Sequence, residues 1–252
     1  LFKYAKKVGI KAFSSPFDTE CVSVLEKIKC PLYKLASFEM TDFSLIKAIC
    51  ETKKPIIIST GLSSIKEIER TLDFAQKNGA KDIALLYCVT SYPAKIEDFH
   101  LKNIEILKQT FGFTVGLSDH SNDHLIGQLA ISMGAKIFEK HIALANQKKG
   151  FDIEFSLKGN EILKYKNNLL KAHKLITGNN FKRSKNEKKL LIHRRSIYTI
   201  KNIKKGDKFS MDNIKAIRPN NKVGSENFFE VIGKKAKKNI LKFTPLQRKD
   251  FV

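Results

Sequence analysis

Tryptophan is absent from the 252 residues, and arginine is scarce, supplying six of the 47 basic residues against 41 lysines. Nucleic-acid surfaces favour arginine interleaved with aromatics, so this lysine-rich composition argues against a nucleic-acid partner. Four cysteines, Cys21, Cys30, Cys50 and Cys88, are scattered without a CxxC pair. That excludes a disulfide scaffold and a cysteine-based zinc module, and predicts a reducing, cytoplasmic location. No apolar stretch approaches the ~20 residues that span a bilayer, and no signal-peptide pattern stands out, so no membrane partner is expected. No glycine-rich dinucleotide loop follows any apolar run. Acidic residues are few: 25 Asp or Glu leave a formal charge of +22. The excess is uneven, with 21 Lys or Arg against 6 Asp or Glu from Phe181 onward, a net of +15. Such a field gathers anionic substrates or is simply solvated.

At 42% hydrophobic content the chain can bury a sizeable core. From Lys11 to His141, short apolar runs alternate with helical periodicity. Strands are predicted at Lys11–Ser15, Leu32–Ser37, Pro55–Ser59, Ile83–Val89, Phe113–Ser118 and Ala135–His141. Between them, segments such as Ser63–Asn78 repeat Ile65, Ile68, Leu72 and Ala75 at helical spacing, with Asn78-Gly79 as a stop. Most strands are apolar throughout, as expected when both faces are covered. Repeated βα units imply a parallel sheet, either open or closed into a barrel. Six strands are one pair short of a (β/α)8 TIM barrel. Because Leu1–Gly9 already reads as the end of a helix, the expectation is an α/β barrel lacking its first two βα units, over residues 1–176. Glu161–Ile176 reads as the closing helix and 177–193 as a basic linker. Residues 194–252 read as a small β-rich domain with strands at Ser196–Ile200 and Ile214–Arg218 around a Lys205-Gly206-Asp207 turn.

In such barrels, functional groups collect where strands feed the βα loops. Those positions carry Ser14-Ser15, Lys34 with Ser37 and Glu39, Ser59-Thr60-Gly61, Thr90 and Tyr92, Ser118 with His120, and Glu139 with His141. One lysine with several hydroxyls and loop amides suits a phosphate. Two histidines at neighbouring strand ends suit a divalent cation with open positions. Each element has a plainer reading: Ser59-Thr60-Gly61 also fits a helix cap, and Asp119 also fits a cap for the following helix. Strict alternation sends Lys34 and Ser37 to opposite faces, so the strand must end or kink between them if both line one site.

Several runs then carry a resemblance. SSPFD (Ser14–Asp18), YKLASFE (Tyr33–Glu39), KPIIISTG (Lys54–Gly61), YCVTSYPA (Tyr87–Ala94), GLSDHS (Gly116–Ser121), GAKIFEKHI (Gly134–Ile142) and FDIEFSL (Phe151–Leu157) resemble the sialic-acid synthase family. RRSIYTIKNIKKGD (Arg194–Asp207) and NIKAIRP (Asn213–Pro219) resemble that family's antifreeze-like SAF domain. SSPFD and ASFE look most like the pseudaminic-acid synthase branch. The resemblance implies condensation of phosphoenolpyruvate with 2,4-diacetamido-2,4,6-trideoxy-altrose and water, giving pseudaminic acid and phosphate. Neuraminate-type or legionaminate-type acceptors are the alternatives. It implies His120 and His141 as ligands of Mn2+ or Mg2+ that polarises the sugar aldehyde. Lys34, Ser37, Ser59, Ser118 and Ser15 are implied to bind phosphoenolpyruvate, with Glu39, Tyr92 and Asp152 beside the sugar. Arg218 is implied to reach a partner subunit's barrel in a homodimer. Thr90 stands where many members carry asparagine. Members also carry a catalytic glutamate and a further phosphoenolpyruvate-binding lysine on strands ahead of those seen here, so these 252 residues alone are expected to turn over little. Rival expectations are an aldolase acting on phosphorylated sugars, which would not need Arg218, and a basic module docking on an anionic polymer.

Overall fold

The computed structural model describes residues 1–178 and 181–251. Two compact units divide the chain, Leu1–Gly178 and Asn179–Val252. The first begins with α1 (Phe2–Lys7) and α2 (Thr19–Lys27). It continues as β1 (Tyr33–Leu35), α3 (Phe43–Glu51), β2 (Ile56–Ser59), α4 (Ile65–Lys77), β3 (Ile83–Cys88), α5 (Lys102–Phe111), β4 (Thr114–Asp119), α6 (His124–Ser132) and β5 (Phe138–Lys140). The five strands form one parallel sheet in sequential order, β1-β2-β3-β4-β5. This is the βα progression of a (β/α)8-type barrel, built here from five strands and one further bridge. Beyond β5, two short strands, β6 (Ile142–Ala143) and β7 (Leu157–Lys158), pair in parallel, and α7 (Asn160–Ile176) closes the unit.

The sequence explains these elements locally. α4 starts at a capping box in which the Ser64 hydroxyl accepts the Glu67 amide and Glu67 accepts a bond from the Ser64 amide. Its Ile68, Leu72 and Ala75 are buried on one face, and Phe74 stacks on Phe43 of α3 with ring centroids 4.6 Å apart. β2 to β4 bury side chains on both faces, including Ile56, Ile58, Leu85, Leu86, Val115 and Leu117, because core lies on one side and helices on the other. At Gly116 a Cβ would stand 2.2 Å from the Ile137 carbonyl oxygen, so only glycine lets β4 approach β5 this closely.

Two expectations need correction. The strand predicted at Lys11–Ser15 reduces to a single bridge, Ser14 to Tyr33, with the Lys34 amide donating to the Ser14 carbonyl at 3.2 Å. Its neighbour, β1, is three residues long and offers too short a ladder. The strand predicted at Ala135–His141 runs over Phe138–Lys140, with Lys136 and Ile137 already bonded to β4 through their backbone, and His141 lies between β5 and β6. Within the stretch read as a basic linker stand α8 (Lys185–Leu190), capped by Ser184 and Glu187, and a 3-10 turn at Leu191–His193. Asn179 and Asn180 of that stretch lie outside the described residues.

The second unit has its own core of Ile197, Ile203, Phe209, Ile214, Val223, Val231, Ala236, Ile240, Leu246 and Phe251. It holds an antiparallel pair, β8 (Ser196–Thr199) with β9 (Ile214–Ile217), and a short helix, α9 (Phe228–Val231). Among the described residues no helix is long and apolar enough to cross a membrane.

Candidate active site

The parallel register brings the strand ends to one rim. β1 ends at Leu35 and a 3-10 turn begins at Ser37, so Lys34 and Ser37 are freed from strict alternation. Lys34 is buried, with Nζ 3.4 Å from Glu139 Oε1. The Ser118 hydroxyl donates to that same oxygen at 2.7 Å. Ser118 and Glu139 are register partners of β4 and β5, so one carboxylate ties three strand ends together. Gly61 sits where a Cβ would meet Thr90 Oγ1 at 2.0 Å and Ser37 Oγ at 2.8 Å, which places those two hydroxyls against one point of backbone. Cys88 closes this cluster, its Sγ 3.9 Å from Thr90 Oγ1 and 3.8 Å from His120 Nδ1. Burial pushes its thiol pKa up, against the opposing pull of Ser37, Thr90, Ser118 and the Lys34 charge, so the group stays a neutral thiol.

The two histidines are adjacent. Their ring centroids lie 5.2 Å apart, edge to face, with Phe155 5.0 Å from His141 and Tyr92 4.4 Å from His120. His120 Nδ1 is 3.1 Å from the Val89 carbonyl oxygen. A carbonyl only accepts, so Nδ1 carries the proton and Nε2 keeps its lone pair. Burial lowers the His120 pKa further than the Val89 bond raises it, which keeps the ring neutral. His141 Nδ1 is 3.5 Å from Asp152 Oδ2, and Asp152 sits in left-handed backbone at φ 62°. Burial also raises the Tyr92 pKa, with nearby negative charge adding to the effect.

Two imidazoles, each facing an acceptor through Nδ1, have the donor set of metal-binding histidines with their supporting contacts. Among the described residues no group of three or more His, Cys, Asp or Glu side chains is arranged to hold a metal ion by itself. Two nitrogen donors so placed would leave further positions on a bound ion to water or substrate oxygens. The pair fits an open divalent site.

At this rim Ser59 Oγ and Glu39 Oε2 are fully buried and make no hydrogen bond among the described residues. Buried acceptors and donors of this kind are costly unless something meets them. Ser15 is half-buried beside the Ser14 bridge, and no hydrogen bond joins it to this cluster among the described residues. Arg218 stands just past β9 in the second unit. The structure adds two participants to which sequence reasoning gave no role, Cys88 and Glu139. Glu139 was visible at a strand end, but only the β4–β5 register shows that it links Lys34 to Ser118. A groove of about 720 Å³ lies away from this rim, between α2 and α3 and bordered by Glu26 and Lys47.

Fold and rim define an αβ-barrel domain with a polar strand-end cluster around a buried lysine, followed in the chain by a small antiparallel domain. Residues 1–181 match the NeuB family and residues 194–252 the SAF domain, and the chain belongs to the NeuB family. It is 37% identical over 252 residues to the pseudaminic acid synthase of Helicobacter pylori, covering 99% of this chain and 74% of that protein. It is also 37% identical over 242 residues to the N,N'-diacetyllegionaminic acid synthase of Campylobacter jejuni, covering 95% and 72%. Among solved structures, a putative spore coat polysaccharide biosynthesis protein E from Chromobacterium violaceum superposes with a TM-score of 0.80 at 26% identity, covering 100% of this chain and 76% of that one.

Proposed function

We propose that this chain belongs to a pseudaminic acid synthase, condensing phosphoenolpyruvate with 2,4-diacetamido-2,4,6-trideoxy-altrose and water to yield pseudaminic acid and phosphate. The observation that carries the reading is the shared rim: two imidazoles 5.2 Å apart beside a buried lysine and a set of hydroxyls, two of whose neighbours are unpartnered polar atoms. Relatives named as pseudaminic and N,N'-diacetyllegionaminic acid synthases at 37% identity support the class of reaction.

The roles follow from charge and position. Lys34 supplies one full positive charge at low exposure, where its attraction for a phosphate or carboxylate is weakly screened. Ser37, Ser59 and Ser118, with Ser15, add hydroxyl donors for the remaining anionic oxygens. Glu139 holds Lys34 and Ser118 in place until the anion arrives. Glu39 Oε2 and Asp152 are acceptors for sugar hydroxyls, and Tyr92 walls the sugar side of the histidines. His120 and His141 would hold Mn2+ or Mg2+, which supplies Lewis acidity toward the sugar aldehyde. In the overall change the enol C3 forms a bond to the sugar C1, water adds at C2, and phosphate leaves by C–O cleavage. The residues described here contribute orientation and charge, holding both reactants at bonding distance. Arg218 would contact an N-acetyl group from a partner subunit of a homodimer. The equal identities to pseudaminic and legionaminic acid synthases leave N,N'-diacetylated alternatives as the second reading.

The test is phosphate release from phosphoenolpyruvate by the protein with Mn2+, comparing acetamido sugars with sugar phosphates. Release with the diacetamido-altrose is expected. Release only with phosphorylated sugars would remove the proposal.

A further inference from the structure

Directly before the two histidines stand two oppositely charged residues, Asp119 and Lys140. They are register partners across β4 and β5, with Lys140 Nζ 3.0 Å from Asp119 Oδ2. Of the seven ion pairs among the described residues, this is the only one with both side chains almost wholly buried, at 5% and 0% exposure. Side chains alternate along a strand, so Ser118 and Glu139 face the rim while Asp119 and Lys140 face the helical layer. There Tyr165 of α7 lies beside Asp119, packed over Gly127 of α6. His120 and His141 return to the rim side.

Lys140 also donates to the Ser121 carbonyl, and Asp119 Oδ1 accepts the Ser121 amide at 2.8 Å. A single ammonium, one residue ahead of His141, therefore grips the residues on both sides of His120. Stability alone does not call for this arrangement, since neutral replacements of buried ion pairs are often equally stable.

We infer that the Asp119–Lys140 pair is a positioning device that fixes the two strand ends, and hence the separation and orientation of the His120 and His141 rings. What that positioning serves rests on the proposed metal-binding role of the histidines; the geometric claim does not. Because Lys140→Met alone would leave a buried carboxylate unpaired, the test uses the neutral double variant D119N/K140M. The carboxamide introduced in place of the Asp119 carboxylate keeps an acceptor for the Ser121 amide, but the cross-strand grip is gone.

A crystal structure of the folded double variant is expected to show the rings displaced from their 5.2 Å separation or spread over several rotamers. Its Mn2+ affinity, read from the paramagnetic resonance of free Mn2+, should fall about 10–100-fold, the usual effect of losing an outer support of metal ligands. Rings unmoved in that variant overturn the inference. Should it not fold, K140R serves. It retains the charge, but its planar head cannot take the ammonium's place between Asp119 and Ser121, so displaced rings are again expected and unmoved rings refute the claim. If wild-type Mn2+ affinity survives His120→Ala, the metal reading fails instead, and the ring positions still decide the role of the pair.

Discussion

Gly61→Ala strikes where three elements converge on one backbone point. The new Cβ would lie 2.0 Å from Thr90 Oγ1, 2.8 Å from Ser37 Oγ and 3.3 Å from the Cys88 carbonyl. The Thr90 hydroxyl must retreat by about 1.4 Å to reach ordinary contact at 3.4 Å. Rotation offers limited relief: a threonine carries two heavy atoms on Cβ, so of three staggered rotamers only one turns hydrogen toward residue 61. Ser37 can rotate away but then loses its place in the cluster. Overpacking of this kind costs about 1–3 kcal/mol, and each kcal/mol lowers Tm by about 2–4 °C in a chain of this size. Displacing one hydroxyl donor from a charged acceptor costs a further ~1.5–3 kcal/mol of anion affinity. Calorimetry should therefore find phosphoenolpyruvate bound about 10–100-fold more weakly, alongside the lower Tm. The double variant G61A/T90A removes the 2.0 Å contact and should recover most of the Tm loss, with a coupling energy of about 1 kcal/mol or more. An unchanged Tm and unchanged affinity in Gly61→Ala would refute the packing of this rim.

Lys34→Met should weaken phosphoenolpyruvate binding about 10–100-fold, from loss of a charge-assisted bond, while leaving acceptor-sugar binding nearly unchanged; isothermal titration checks both. His120 has a folded pKa below its ordinary 6.5 because burial disfavours the cation, so the unfolded chain binds its proton first. Stability from this group is full above pH 6.5 and is lost as pH falls through the lowered folded pKa. The stability of wild type relative to His120→Asn should therefore shrink below about pH 6.5, as followed by urea unfolding. Gly127→Ala would push a Cβ to 2.3 Å from the Tyr165 hydroxyl and should cost about 1–3 kcal/mol by separating α6 from α7, read as a lowered Tm. Arg218→Ala should weaken binding of the N-acetylated sugar in the assembled protein and leave phosphoenolpyruvate binding unchanged.

The apolar cores of β2, β3 and β4 are legible in the sequence because strands covered on both faces are apolar throughout. Lys11–Ser15 misleads because β-propensity does not reveal how much ladder a neighbour provides, and β1 provides three residues. The Lys34–Ser37 conflict of faces was visible as a problem, and the strand end at Leu35 with the turn at Ser37 resolves it. Helix α8 hides in a basic stretch, although its Ser184–Glu187 capping box stands in the sequence. The nearness of His120 and His141 follows from neighbouring parallel strands. Cys88 and the Asp119–Lys140 pair do not: their roles depend on register and on which face each residue takes, and one sequence leaves both open.

The most direct measurement counts Mn2+ bound per chain in wild type, His120→Ala and His141→Ala. One ion per chain, lost in both variants, is the predicted result. Equal binding in all three proteins, or loss in only one variant, would contradict a single cation shared by the two imidazoles.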